Sequence, residues 1–152
     1  MIKLPEKLNT SCDKLLNEVT QEAKKLFEIH ATESTYQKRK FKFYQILMNC
    51  SLETYINEKS SINLVKRIIE ILFIINYIVI KYKDKQMKSV IDKAAIDNQK
   101  AYGKLRTYRH LLYPKENRWP SWIELVKPIQ RKWQYLLRMD YENKRYYPLL
   151  KY

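Results

Sequence analysis

The chain has 152 residues and carries a net charge of +14, from 30 Lys and Arg against 16 Asp and Glu. That length suits one domain with a substantial hydrophobic core and leaves too little chain for two. A single glycine and five prolines argue against an all-β fold built on tight hairpins, which need residues at positive φ. The same scarcity removes the glycine-rich loops that cradle phosphates, and with them nucleotide-dependent chemistry.

The pattern predicts an all-α, up-and-down four-helix bundle with a shorter C-terminal fifth helix and an extended tail. Residues 1–139 form the bundle domain and residues 140–152 a basic, aromatic tail. The first helix is expected over 10–31: Leu8, Cys12, Leu15, Leu16, Val19, Ala23, Leu26 and Phe27 recur at three and four residues, one apolar stripe. Thr10 is placed to cap it, with Asp13 in its first turn.

The second helix, 35–58, opens on a capping box of Ser34 and Gln37. Tyr36, Phe43, Leu47 and Cys50 share its inner face, with Tyr44 beside them and Lys38, Arg39, Lys40 and Lys42 around them. A third helix, 61–82, starts at Ser60 or Ser61 and becomes apolar on every side, as a central packed helix must. Its uncharged run Ile71 to Ile80 is ten residues long, about half of the ~20 needed to cross a bilayer. Its one acid near the core, Glu70, is expected to pair with Lys66 or Arg67. Lys81 to Lys88 holds neither Gly nor Pro, so the third and fourth helices could continue as one rod; a turn is expected instead.

The fourth helix, 86–112, carries a seam of Met87, Ile91, Ala94, Asn98, Ala101 and Leu105 at alternating spacings of four and three. Its partner is another helix of the chain or of a second copy. Ala94, Ala101 and Gly103 leave room for close approach, and Asn98 is placed to fix register. Tyr113-Pro114 ends this helix. Ser121 and Glu124 form a capping box for the fifth, in which Pro128 is expected to force a kink or a restart.

Charge is unevenly spread: residues 1–33 hold five basic and six acidic side chains, residues 34–152 twenty-five and ten. Basic residues interleave with aromatics at 36–44, 106–110, 131–135 and 144–147. Lys and Arg neutralise phosphates while aromatic planes stack on unpaired bases, so the pattern predicts binding of RNA or single-stranded DNA with little sequence preference. The candidate phosphate contacts are Lys38, Arg39, Lys42, Arg106, Arg109, Arg131, Lys132 and Arg145. The candidate stacking residues are Tyr36, Tyr108 and Tyr147.

Catalysis is not expected. Arg106 and His110 enclose three residues, whereas the Arg-and-His ribonuclease motif of HEPN domains, also basic helical bundles, encloses four to six, so that motif is not met. Cys12, His30, Cys50 and His110 lack metal-ligand spacing, and no cofactor or metal is expected. The two cysteines read as small core residues of a protein in the cytoplasm or another reducing compartment, and the N-terminus lacks a signal-peptide pattern. The function expected is that of a non-catalytic accessory subunit in a ribonucleoprotein or nucleic-acid-processing complex. The alternative is a structural subunit or self-assembling bundle that docks on protein through its seam and tail. Membrane binding ranks third, since the apolar stripes are needed for packing.

Overall fold

A computed structural model of the protein describes residues 4–26, 31–53 and 61–137, with side chains described from 12 to 133 within those ranges. The protein is all-α: four helices in sequence and a shorter fifth. These are α1 (Leu4–Leu26), α2 (Glu33–Asn49), α3 (Ile62–Lys81), α4 (Lys85–Leu112) and α5 (Trp122–Leu137). The expected tail, 140–152, lies outside the described residues.

α3 is the axis. Every residue from Ile68 to Ile80 is buried, Glu70 and Asn76 included, because α1, α4 and α5 pack on different sides of it. A helix apolar all round is stable only when enclosed in this way, and the sequence pattern shows the requirement in advance. Glu70 is 2% exposed and spends both carboxylate oxygens on donors. Oε1 accepts from Lys132 Nζ and Trp133 Nε1 of α5, each at 3.0 Å, and Oε2 accepts from Arg67 Nη1 at 3.2 Å. Arg67 also reaches Asp13 of α1 at 2.5 Å. A buried charge is tolerable only when its lone pairs are filled, and this one ties α1, α3 and α5 together. Arg67 is the expected partner; Lys66 stays exposed.

Helix starts follow local chemistry, with two corrections. Thr10 lies inside α1, which begins at Leu4. α2 is capped by Thr32, whose hydroxyl accepts from Thr35 N–H at 3.3 Å, so Ser34 falls in the first turn. α2 also ends at Asn49 rather than 58, with Cys50 as its C-cap. Ser61 caps α3 through Leu64 N–H. Ser121 and Glu124 form the reciprocal box at α5, Ser121 N–H donating to Glu124 Oε2 at 2.8 Å and Glu124 N–H to Ser121 Oγ at 3.3 Å. Pro128 neither ends nor restarts α5, which is one helix through Leu137. It lies on the exposed side, where the carbonyl it leaves without an amide donor can meet water.

α3 and α4 are separated by a turn made without glycine: Lys83 adopts φ 54°, and Lys83 and Asp84 N–H donate back to Ile80 and Val79 carbonyls. Asp84 then caps α4 through Met87 N–H at 3.1 Å. Its other oxygen takes the Tyr36 hydroxyl at 2.9 Å and Lys40 Nζ at 2.7 Å. The Tyr36 ring stacks on Tyr82 at 4.6 Å and 9°, and Tyr82 and Lys81 both donate to the Leu26 carbonyl at the end of α1. One end of the bundle is therefore a polar knot joining α1, α2 and the α3–α4 turn.

The α4 seam is spent inside the chain. Met87, Ile91, Asn98, Ala101 and Leu105 are buried and Ala94 partly so, with α3 the main neighbour. Asn98 accepts the Leu52 N–H at 2.7 Å and donates to the Ala94 carbonyl at 2.8 Å, so it fixes the segment after α2 rather than the register of two equivalent helices. Gly103 is exposed, and among the described residues a Cβ there would meet nothing within 4 Å.

Candidate nucleic-acid interface

Among the described residues, six carboxylates are held in ion pairs: Asp13 and Glu70 with Arg67, Glu70 also with Lys132, Glu22 with Arg39, Asp84 with Lys40, Asp92 with Lys88 and Glu116 with Arg109.

On α2 the amphipathic register sorts the basic–aromatic cluster. Tyr36, Phe43 and Ile46 turn inward and are buried. Phe41, off that stripe, is 69% exposed. Lys38 and Lys42 flank it, one turn before and one residue after, and both are exposed. Gln45 and Met48 continue the same outer face. Arg39 sits at the edge of this face and is turned to Glu22 of α1. The stacking role expected for Tyr36 is ruled out by packing: its ring face lies on Tyr82 and its hydroxyl on Asp84. Burial, and then the hydrogen bond to Asp84, push its pKa far above the ordinary phenol value.

The Arg106–His110 cluster meets a different fate. Arg106 Nε donates to the Trp119 carbonyl at 2.8 Å. Arg109 pairs with Glu116 at 3.1 Å and lies over the rings of Trp119 and Tyr113 at 4.7 and 5.0 Å. His110 Nε2 accepts the Trp119 N–H at 3.4 Å. The Tyr102 hydroxyl, its pKa pushed up to about 12 by burial, donates to the Pro120 carbonyl at 2.5 Å, and its ring stacks on Trp119 at 6.1 Å. These groups fasten the 113–121 loop to α4, with Arg106 and Arg109, both expected as phosphate contacts, each engaged on that loop. Tyr108 points the other way, 48% exposed, and with Lys104, Thr107, Gly103 and Leu111 lines a shallow cleft of about 390 Å³.

A third group of charged residues lies between α3 and α5. A cleft of about 560 Å³ is lined by Lys66, Arg67 and Lys132 together with Glu70 and Glu124, over apolar walls including Leu125, Pro128 and Ile129. Lys132 divides its charge between Glu70 and the face of Trp133, 5.1 Å away. Arg131 is exposed one turn from the exposed Lys127. Arg145 and Tyr147 lie outside the described residues.

Two exposed residues not singled out as candidates from the sequence are Phe41 and Lys104. The signal for Phe41 was present: within 36–44 it is the aromatic that breaks the inner stripe. Among the described residues no group of three or more His, Cys, Asp or Glu side chains is placed to hold a metal, and no helix is long and apolar enough to cross a membrane. Comparison with protein-family models, with curated proteins and with solved structures finds no match.

Proposed function

We propose that the protein binds RNA or single-stranded DNA without catalysis, through the outer face of α2. The carrying observation is Phe41, a large apolar ring left in solvent between two exposed lysines. Stacking of a base on such a ring is worth about 1–3 kcal/mol and tolerates any base. Each lysine that neutralises a phosphate releases counterions. Tyr108 beside Lys104 offers the same pairing on α4, and the chain's net charge of +14 favours the approach of a polyanion. The role that fits is an accessory subunit holding nucleic acid for other components of a complex.

The test is fluorescence anisotropy with labelled single-stranded RNA, single-stranded DNA and duplex across several salt concentrations. Binding to the single strands should weaken steeply with salt. Replacing Lys38 and Lys42 together by Gln should flatten the slope of log K against log[salt] by about 1.4, at about 0.7 per single-strand phosphate contact. No binding at low salt overturns the proposal.

A protein-docking role is the second reading, and it rests on the end of α4. There Leu111 is 77% exposed, and Tyr108, Leu112 and Tyr113 are also exposed. Because the seam is buried within the chain, this patch is a surface available for it among the described residues, including for a second copy. Association through it would persist at high salt.

A further inference from the structure

Cys12 and Cys50 are thirty-eight residues apart in sequence, yet their Sγ atoms stand 3.4 Å apart in the core. Both are free thiols, 0% and 2% exposed. Cys12 belongs to α1, and Cys50 is the C-cap of α2 with non-helical φ −121° and ψ 73°. A disulfide needs the sulfurs about 2.05 Å apart, an approach of about 1.4 Å within reach of side-chain rotation. The backbone holds the pair in place from two sides: Cys50 N–H donates to the Ile46 carbonyl at 2.9 Å, and Leu52 N–H, two residues on, is gripped by Asn98 of α4.

We propose that this pair is a redox staple: a low-molecular-weight disulfide, such as oxidised glutathione, converts it to an intramolecular Cys12–Cys50 disulfide that locks α1 to the end of α2. The hydrogen bond between the two thiols favours a thiolate on whichever sulfur accepts it, and either can donate, while burial disfavours the charge on both. On opening, one thiol loses its proton to solvent and its thiolate attacks one sulfur of the small disulfide, forming a mixed disulfide and expelling one thiolate. The remaining thiol then loses its proton to solvent and its thiolate attacks the protein sulfur of the mixed disulfide, expelling the second. Two protein thiols are oxidised, and one small disulfide is reduced to two thiols. Because both sulfurs are buried, exchange proceeds through local opening and is slow under native conditions. In a reducing compartment the pair stays as thiols; a rise in oxidised glutathione closes it.

The test holds the folded full-length protein in buffers of graded oxidised and reduced glutathione, quenches with an alkylating reagent, and reads intact mass and a non-reduced peptide map. The expected product has lost two hydrogens and both alkylation sites together, carries no glutathione, and yields a peptide pair joining Cys12 to Cys50. Its melting temperature rises by on the order of 10 °C and returns on reduction. Cys50→Ser should stop at a glutathione adduct on Cys12 with no such rise. A wild-type product that ends as a mixed disulfide or a covalent dimer, or that keeps both thiols until the chain is unfolded, overturns the proposal.

Discussion

The α2 cluster and the α4–loop cluster have similar composition, Lys and Arg mixed with aromatic rings, and opposite fates. On α2 the inward ring, Tyr36, is locked into the polar knot, and the outward ring, Phe41, stands in solvent between lysines. At the end of α4 both arginines fold back on the 113–121 segment, bonding to a carbonyl, a carboxylate and two ring faces of their own chain. Arginine's planar fork suits such internal anchoring, whereas a lysine with no carboxylate in reach keeps its ammonium in water. A basic–aromatic motif is therefore free to meet a ligand only where the chain does not use it first.

The sharpest way to break this contrast is to exchange the roles of the two α2 rings. Tyr36→Ala should cost about 3–5 kcal/mol of stability in urea denaturation, as for a fully buried aromatic, with affinity per folded molecule unchanged. Phe41→Ala should do the reverse, weakening single-strand binding by about 1–3 kcal/mol and leaving stability within about 0.5 kcal/mol. If Phe41→Ala melts the protein and leaves binding intact, the assignment of the two faces is inverted. Arg109→Ala should lower stability by about 1–2 kcal/mol through loss of the ring contacts and the Glu116 pair, without altering the salt slope of binding. A changed slope with unaltered stability would restore Arg109 as a phosphate contact.

The smallest effect expected is on pH dependence. Burial alone would raise the Asp84 pKa, but Lys40, the Met87 N–H and the Tyr36 hydroxyl together hold it below the ordinary carboxylate value. Asp84 thus adds stability above its unfolded pKa, about 3.9, and that contribution disappears as pH falls through the lower folded value. Asp84→Asn should reduce stability at neutral pH and flatten the acid limb of the stability curve; an unchanged acid limb would mean that Asp84 does not hold the knot.

Much of the fold was legible because helical periodicity records which face must leave water. The stripes through Cys12, Val19 and Ala23, through Tyr36 and Phe43, and through Met87, Ile91 and Leu105 all turn inward. The all-round apolar α3 announced its place at the centre. Caps were legible where Ser121 and Glu124 stand at a clear boundary, and to within one residue at Ser60 or Ser61, of which Ser61 is the cap. The start of α2 was not, because Thr32, Ser34 and Thr35 can each offer an oxygen and only backbone geometry chooses among them. Lys83 was hidden for a similar reason: its left-handed turn is imposed by the neighbouring helices, not by a residue that prefers it.

By itself, then, the sequence determined an all-α bundle around one enclosed helix, with a cationic excess. Periodicity and charge are local properties and survive without knowledge of neighbours. Only the tertiary structure decided which cations remain available, that Tyr36 is a core residue and Phe41 a surface one, that Glu70 joins three helices, and that Cys12 meets Cys50. Each of those depends on which distant group arrives within a few ångströms, and a hydrogen bond or ion pair fixed at that distance outweighs what residue type alone would suggest.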